Sequence, residues 1–228
     1  MSATLDAERL SSYFSGAPIV SVEGRLFPVE RRTAPANTLI EQVELLAKNG
    51  KSILVFQPGK KEIEQIVEEL KARLGNSAII PPLHGGLSAE EQQRCFEPAP
   101  EGKVIIVVAT NIAQTSITIP YIDAVVDSGD ERRIELVDGV EGLYLKPISQ
   151  ADSEQRAGRA GRVKPGIYVL CSDTGIDDRP EFPKAEILRS SLALVVLRLM
   201  AQRIDATKLR FYHQPDETVL AEAKKTLI

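Results

Sequence analysis

A continuous apolar run in the middle of the chain most strongly constrains the fold. Residues 103–109 read KVIIVVA, with no polar side chain after Lys103. An apolar run without alternation is typical of a parallel strand that is buried on both faces of a sheet. A cluster of polar residues follows between Thr110 and Thr118. In open α/β sheets, ligands bind beyond the carboxyl ends of the strands, so this cluster is a candidate binding site, although its hydroxyls suit helix caps and turns equally well.

Helical and strand-like segments alternate on both sides of this run. The pattern predicts a strand at Ile53–Phe56, then a Pro58-Gly59 turn and an amphipathic helix at Lys60–Leu74. Such alternation predicts an α/β fold with a parallel sheet flanked by helices. The other predicted elements are helices from Asp6, at 38–48, from a capping box at Ser88 and at 187–200, and strands at 19–22, 78–80, 121–127 and 166–171.

Three segments interrupt the alternation. Arg25–Pro35 has the proline and charge content of a linker. Asp138-Gly139 between two strand-like runs predicts a β-hairpin. Asp173–Pro183, rich in Asp and Pro, ends the alternating pattern.

Composition excludes several classes of protein. The chain has 228 residues, 43% of them hydrophobic, which is enough for one α/β domain with additional elements. Membrane-spanning runs and a signal-peptide pattern are absent, which predicts a cytoplasmic protein. Cys95 and Cys171 lack metal-ligand spacing and are interpreted as small apolar side chains. The net charge of −4 is not that of a typical nucleic-acid binder, so such binding would need a local groove.

The segment Gln155–Arg162, reading QRAGRAGR, is the strongest candidate for chemistry. Arg156, Arg159 and Arg162 recur every three residues, so on a helix opening after Asp152 they would lie along one face. A guanidinium presents a planar fork of donors that matches phosphate oxygens two at a time. The alternative interpretation is a solvated basic face of a helix.

The two glycines of this segment favour the phosphate interpretation. Gly158 and Gly161 stand between the arginines, and glycine inside a helix costs about 1 kcal/mol relative to alanine. We therefore expect another group to come close to the backbone at these positions.

Five segments of the chain form an ordered set of motifs. They are MSATLD at 1–6, ILVFQPG at 53–59, LHGGLSAEEQQRCFEPAP at 83–100, ATNIAQTSITI at 109–119 and QRAGRAGR. In this order they resemble motif III, motif IV, the segment between motifs IV and V, motif V and motif VI of the DEAH-box group of superfamily 2 ATP-dependent RNA helicases. Five ordered matches across the chain are far more specific than one. The resemblance implies a RecA-like fold, the second of two such domains in a helicase motor.

Motors of this family also need a P-loop and an acidic Mg-binding strand, which precede motif III in a first RecA-like domain. The sequence contains no DEAH string, and Gly50-Lys51-Ser52 has Leu45 where the first P-loop glycine should stand, so we interpret it as a helix end. We expect the chain to begin where the first motor domain ends. The expected layout is a tail of that domain and a linker at 1–30, the second RecA-like domain at 31–176, and the start of a truncated winged-helix region at 177–228.

The resemblance implies a role for individual residues. ATP with Mg is the implied cofactor, with the Mg ligands supplied by the first domain, and this chain is expected to hold no metal. Phe96 would stack on adenine, although an isolated phenylalanine is more often a core residue. The implied catalytic residues are Gln155, Arg159 and Arg162, and the implied nucleotide-binding residues are Phe96 and Ser116. Thr110 and Asn111 are the implied nucleic-acid-binding residues, and Ser2 and Thr4 are the implied coupling residues.

Two positions depart from the family pattern. Gln114 replaces a usual glutamate, which removes a charge near the phosphates. Pro120 replaces an aspartate near the ribose. Because proline has no side-chain acceptor for the sugar, DNA stays an alternative substrate. The predicted function is the motor-domain part of an ATP-dependent RNA helicase, and this part is expected to be inactive alone. The expected partners are single-stranded RNA and the first RecA-like domain, and no binding to a membrane is expected. The predicted hairpin is interpreted either as an element that helps to separate nucleic-acid strands or as a simple surface ribbon. The sequence does not identify a protein cofactor. The alternative is a stand-alone, non-catalytic module that binds RNA or nucleotide.

Overall fold

The computed structural model describes residues 6–21, 27–115 and 119–227, with the backbone alone at Thr115. The helices in these ranges are α1 (Ala7–Tyr13), α2 (Leu39–Lys48), α3 (Lys60–Leu74), α4 (Ala89–Gln93), α5 (Ile112–Thr115), α6 (Gln150–Ala157), α7 (Ala193–Ala201) and α8 (Glu217–Thr226). The strands are β1 (Val29–Ala34), β2 (Ile53–Phe56), β3 (Ala78–Ile79), β4 (Pro82–Leu83), β5 (Val104–Ala109), β6 (Ala124–Asp127), β7 (Asp130–Val137), β8 (Val140–Pro147) and β9 (Gly166–Cys171).

These elements belong to two compact units. The first unit contains residues 27–115, 119–132 and 145–183, and the second contains residues 6–21, 133–144 and 184–227. Among the residues described, every helix is too short or too polar to cross a membrane.

A parallel sheet of seven strands forms the centre of the first unit. Its order is β1-β9-β6-β2-β5-β3, and β4 pairs with the carboxyl-terminal part of β5. Every pairing in this sheet is parallel. The predicted α/β fold with a parallel sheet flanked by helices is therefore confirmed.

The central strands are buried on both faces because alternate side chains enter two separate apolar cores. In β2, Ile53 and Val55 pack in one core with the apolar faces of α2 and α3. Leu54 and Phe56 pack in the other core, which also contains Ala113 of α5 and Ala157 of α6. This two-sided burial explains why the strands read as unbroken apolar runs.

Local signals define the helix ends as the sequence predicts. α3 begins directly after Gly59, and α4 begins after Ser88, whose side chain and backbone form a capping box with Glu91. α2 is followed by Gly50 with φ +70°, a conformation that favours glycine. The Gly50-Lys51-Ser52 string is therefore a helix end, as expected.

Three predicted segments are wrong. Residues 29–34, expected in a linker, form β1, whose exposed charges lie at the edge of the sheet while Pro28 and Pro35 flank the strand. Residues 19–21 form no strand, and Val22 lies outside the described ranges. The helix predicted at 187–200 is a 3-10 turn at Glu186–Leu188 followed by α7. Between them, the side chain and the amide of Ser190 both donate to the Glu186 carbonyl, at 2.8 and 3.0 Å.

The second unit is helical around a small apolar core of its own. Its α7 and α8 pack through Val196 and Leu220, which are both 2% exposed. In α1, the Tyr13 hydroxyl donates to the Arg210 carbonyl at 2.7 Å.

The predicted hairpin is present as the pair β7–β8. Asp138 and Gly139 at its turn have φ of +51° and +77°. Two successive positive φ angles are typical of the hairpin turns that Asp-Gly favours.

Candidate functional site

The motif Gln155–Arg162 divides between a helix and a turn. α6 begins at Gln150 behind a capping box formed by Ser149 and Asp152, and it ends at Ala157. The helical half of the motif (155–157) therefore ends before Arg159, and the turn half (158–162) follows it. The expectation that the three arginines share one helix face is wrong, because the capping box starts the helix three residues earlier than predicted and the helix stops after two turns.

Arg156, in the helical half, is a buried structural residue. It is 1% exposed, and its Nη1 donates to Asp127 Oδ1 at 2.7 Å. The guanidinium carbon lies 4.7 Å from the centre of the Phe56 ring. The interpretation of Arg156 as part of a phosphate-reading surface is therefore wrong, since its donors are used inside the fold.

Asp127 explains why this burial is tolerated. It is 0% exposed, and besides Arg156 it accepts from the Tyr168 hydroxyl at 2.9 Å and from the Gly129 amide at 2.9 Å. Ser153 of α6 donates to the same Tyr168 hydroxyl at 2.8 Å. Burial, and then the charge of Asp127, raises the pKa of Tyr168 far above its usual range. This network of paired groups attaches α6 to the end of β6 and to the middle of β9.

Gln114 of α5 brings the polar cluster after β5 together with the arginine motif. Its Nε2 donates to Asp152 Oδ1 at 2.7 Å and to Gln155 Oε1 at 3.2 Å. Its Oε1 accepts from Arg156 Nε at 3.0 Å. Its backbone carbonyl accepts from Arg159 Nη2. Gln155 and Arg159, two of the predicted catalytic residues, are thus held by one residue.

Arg159 and Arg162 differ in exposure although both lie in the turn half. Arg159 is 9% exposed, whereas Arg162 is exposed to solvent. Burial, and then the charge of Arg162, lowers the pKa of Arg159 to about 10. The guanidinium therefore remains protonated at pH 7 and keeps its ability to bind an anion.

The expected close approach to the glycine backbone occurs at one glycine. A Cβ on Gly161 would lie 2.6 Å from the Phe27 carbonyl oxygen and 2.7 Å from Val29 Cγ2. The Gly161 carbonyl also accepts from the Phe27 amide at 2.9 Å. A Cβ on Gly158 would meet its nearest atoms at 3.5 Å, an ordinary contact. The group close to Gly161 is thus the segment that enters β1.

Thr110 and Asn111 lie where the sequence predicts, beyond the carboxyl end of β5. Thr110 is half-buried and its amide donates to the Leu83 carbonyl at 3.1 Å. Asn111 is exposed, and its carbonyl accepts from the Gln114 amide at 2.9 Å in the first turn of α5. The Asn111 side chain is thus presented to solvent at the edge where ligands bind in open sheets.

Phe96 ends a 3-10 turn after α4 and is half-buried. It packs against the core that also contains Cys95, Ala113 and Ala157. One core therefore supports Phe96, α5 and α6. This contact fits the core interpretation of Phe96 and leaves the adenine-stacking role a prediction.

Three predicted site residues, Ser2, Thr4 and Ser116, lie outside the described residues. In the ranges that are described, there is no group of three or more His, Cys, Asp or Glu residues arranged to hold a metal ion. Cys95 and Cys171 are buried and not joined in a disulfide. Burial raises the pKa of Cys95 to about 11 and, as the main cause, that of Cys171 to about 12. Their interpretation as packing residues is confirmed.

Sequence reasoning missed two residues that organise the site. Gln114 was interpreted only as a lost charge, yet it joins four side chains. Asp127 received no role, although an acidic residue that closes the apolar strand AVVD is a signal that it has buried partners.

Comparisons with known proteins agree with this arrangement. Residues 35–164 match the family described as the helicase conserved C-terminal domain. The chain is 40% identical over 240 residues to a Haemophilus influenzae protein named ATP-dependent RNA helicase HrpA homolog, covering 99% of this chain and 18% of that protein. It is 38% identical over 239 residues to the Escherichia coli ATP-dependent RNA helicase HrpB, covering 100% of this chain and 30% of that protein.

A solved structure gives the same result for the fold. The crystal structure of the Escherichia coli DEAH/RHA helicase HrpB matches with a TM-score of 0.91 and 37% identity, over 100% of this chain and 30% of that chain. The predicted RecA-like fold is confirmed. The chain spans less than a third of the length of each of these relatives.

Proposed function

The chain belongs to the helicase conserved C-terminal domain family, and we propose that it is the second motor domain of an ATP-dependent RNA helicase. In this role it contributes one side of an ATP site, and hydrolysis there is coupled to movement along RNA or to its unwinding. The first RecA-like domain, carrying the P-loop and the Mg ligands, supplies the other side. The proposed layout keeps the second RecA-like domain at 31–176, after a tail and linker, with the start of a winged-helix region from 177.

The observation that carries this proposal is the joint placement of Gln155 and Arg159. Gln114 contacts both, and the Arg159 guanidinium stays charged at neutral pH. An amide beside a fixed guanidinium provides donors for the oxygens of a polyphosphate. The donor set therefore fits ATP.

Each residue of the site then has a definite task. Arg159 and Arg162 stabilise the negative charge that spreads over the transferring phosphoryl group, and Gln155 donates to a phosphate oxygen or to the attacking water. Phe96 stacks on the base, and Ser116 senses the nucleotide state. Bound Mg would neutralise phosphate charge from the side of the first domain.

A site divided between two domains also explains how hydrolysis becomes movement. Arg159 and Arg162 act on the phosphates only when the two domains close, so the nucleotide state sets the distance between the domains. Thr110 and Asn111 hold the backbone of a single RNA strand during this cycle. Ser2 and Thr4 couple ATP hydrolysis to movement along RNA. RNA is proposed because relatives are named RNA helicases, and the proposed location is the cytoplasm.

The test is RNA-stimulated ATP hydrolysis by the native polypeptide that carries these residues. We expect Arg159→Ala to lower kcat by about 10³- to 10⁵-fold, the range found for such arginines in other nucleotide hydrolases. Arg73→Ala is the matched control, because Arg73 pairs with the surface residues Glu44 and Glu69. Equal turnover of Arg159→Ala and the control would disprove the assignment.

The isolated 228-residue chain provides a second test. Without a P-loop it should bind ATP weakly and hydrolyse none of it, which calorimetry and phosphate release can measure. Tight binding of ATP would contradict a divided site. RNA binding without any hydrolysis by the native polypeptide would favour the non-catalytic module instead.

A further inference from the structure

An open groove lies along the edge of the sheet at β3. Its volume is about 600 Å³, and it is lined by apolar residues of β3 and the segment after it and by the charged residues Lys71, Glu91 and Arg94. β3 pairs with the first two residues of β5, whereas Thr110 follows the last one. β3 therefore lies at the amino end of the sheet, and the candidate site described above lies beyond its carboxyl end.

The backbone of Ile80 is unpaired at this edge. The Pro81 carbonyl accepts from the Val108 amide at 3.1 Å, so the backbone groups of Pro81 are directed toward β5. Since alternate residues of an extended chain direct these groups to opposite sides, the amide and carbonyl of Ile80 face away from β5. Within the described part of the chain, neither group forms a backbone hydrogen bond. Ile80 can therefore exchange two hydrogen bonds with one residue of an added extended chain.

The residue after Pro81 limits the length of such a pairing. Pro82, the next residue that faces outward, has no amide donor, and its carbonyl accepts from Cys95 Sγ at 3.5 Å. Prolines at a sheet edge prevent a long strand from adding to it. A short segment with a single paired residue therefore fits this edge better than a full strand.

The charges of the groove favour an acidic occupant. Lys71 and Arg94 are exposed, and neither forms a salt bridge with another described residue. The carboxylate of Glu91 accepts from the Ser88 amide at 2.8 Å as part of the capping box of α4. Two cations beside one carboxylate that is bound in this way leave the groove with a positive field.

Apolar side chains accompany these charges. Ile79 is 36% exposed, Leu87 is half-buried, and both line the groove. They offer a surface on which one apolar side chain of an occupant can leave water. A nucleic acid would meet the two cations, but its sugar–phosphate backbone does not repeat the adjacent amide and carbonyl that pair with Ile80. The groove therefore fits a peptide better than a nucleic acid.

We propose that this groove binds a short, extended, acidic segment of a partner protein. One residue of the segment exchanges two hydrogen bonds with Ile80. A neighbouring residue places an apolar side chain against Ile79 and Leu87, and acidic side chains pair with Lys71 and Arg94. The proposal goes beyond the divided ATP site, because it assigns a partner-binding surface at the other end of the sheet.

Selection from a random peptide library on the native polypeptide provides the probes. We expect the enriched peptides to carry acidic residues around one apolar residue, and fluorescence anisotropy measures their affinity. Lys71→Glu/Arg94→Glu should weaken binding by about tenfold or more, since two exposed attractions become repulsions. Lys61→Glu/Lys225→Glu makes the same change in net charge at two exposed lysines outside the groove and should bind as the wild type does.

Methylation of the peptide backbone tests the pairing with Ile80. A methyl group on one amide nitrogen removes one donor and leaves every side chain in place. Methylation at the paired residue should abolish binding, whereas methylation at the next residue, whose amide faces away, should have a smaller effect. The protein is unaltered in this experiment, so the result does not depend on the folding of a variant. Equal tolerance of methylation at every position would overturn the proposal.

Three further results would also overturn it. The first is a selection that enriches no peptide. The second is equal binding of the enriched peptides to the two double variants. The third is a loss in Lys71→Glu/Arg94→Glu that affects only binding of single-stranded RNA or self-association, because the groove would then bind nucleic acid or a second copy of the chain.

Discussion

The helical half and the turn half of the arginine motif both contain arginine, but the arginines have different surroundings. Arg156 in the helical half is 1% exposed and pairs with a carboxylate that is 0% exposed. Arg159 in the turn half is held by a backbone carbonyl, and Arg162 is exposed. A buried carboxylate neutralises an arginine, whereas a backbone carbonyl carries no net charge. Identical side chains three residues apart thus have different partners, a buried carboxylate for Arg156 and a backbone carbonyl for Arg159.

The largest effect on stability is expected at Arg156. Arg156→Met removes the charged partner of Asp127 and leaves a buried carboxylate with two neutral donors. We expect the free energy of unfolding to fall by about 3–5 kcal/mol, measured by denaturant titration. Arg31→Met is the control, because the Arg31–Glu154 pair lies at the surface and should contribute about 1 kcal/mol or less. Equal losses in both variants would remove the distinction between the two halves.

The Tyr168 hydroxyl extends the same network and predicts a smaller effect. Tyr168→Phe deletes the donor to Asp127 at 2.9 Å and leaves the Ser153 hydroxyl without its acceptor. A hydrogen bond to a charged group contributes about 1.5–3 kcal/mol, and we expect a loss of that size in chemical denaturation. A variant as stable as the wild type would show that Arg156 alone neutralises Asp127.

The two glycines of the turn half give a matched pair of variants. Gly161→Ala places a methyl group 2.6 Å from the backbone oxygen of Phe27, and we expect it to destabilise by about 1–3 kcal/mol through overpacking. Gly158→Ala has room at 3.5 Å and no positive φ, so its stability should stay within about 0.5 kcal/mol of the wild type. Thermal unfolding of both proteins would measure the difference. The reverse order would show that the turn is packed differently.

Much of the fold is predictable because burial on both faces leaves an unmistakable pattern. The strands Ile53–Phe56 and Gly166–Cys171 have the predicted bounds, since every position in them is apolar or glycine. β1 was missed because an edge strand buries little, and its residues Glu30, Arg31 and Arg32 resemble a linker in composition. Edge strands depend on their partner more than on their own pattern.

The site was less predictable, for a related reason. The resemblance to DEAH-box helicases is confirmed, and two of the residues it indicated, Gln155 and Arg159, meet at Gln114. The role of Arg156 was mistaken because the spacing of arginines carries no information about Asp127, which lies 29 residues earlier in the chain. Such a pairing is set by the register of α6 against β6, and only the folded structure contains that register.

The measurement that tests the account most directly compares Arg156→Met and Arg159→Ala by two readouts, the free energy of unfolding and kcat for ATP hydrolysis by the native polypeptide. We predict that Arg156→Met has the larger loss of stability. Arg159→Ala should remain folded while its kcat falls by about 10³-fold or more. The account would be contradicted if Arg159→Ala hydrolysed ATP at the wild-type rate, or if its loss of activity only followed from unfolding.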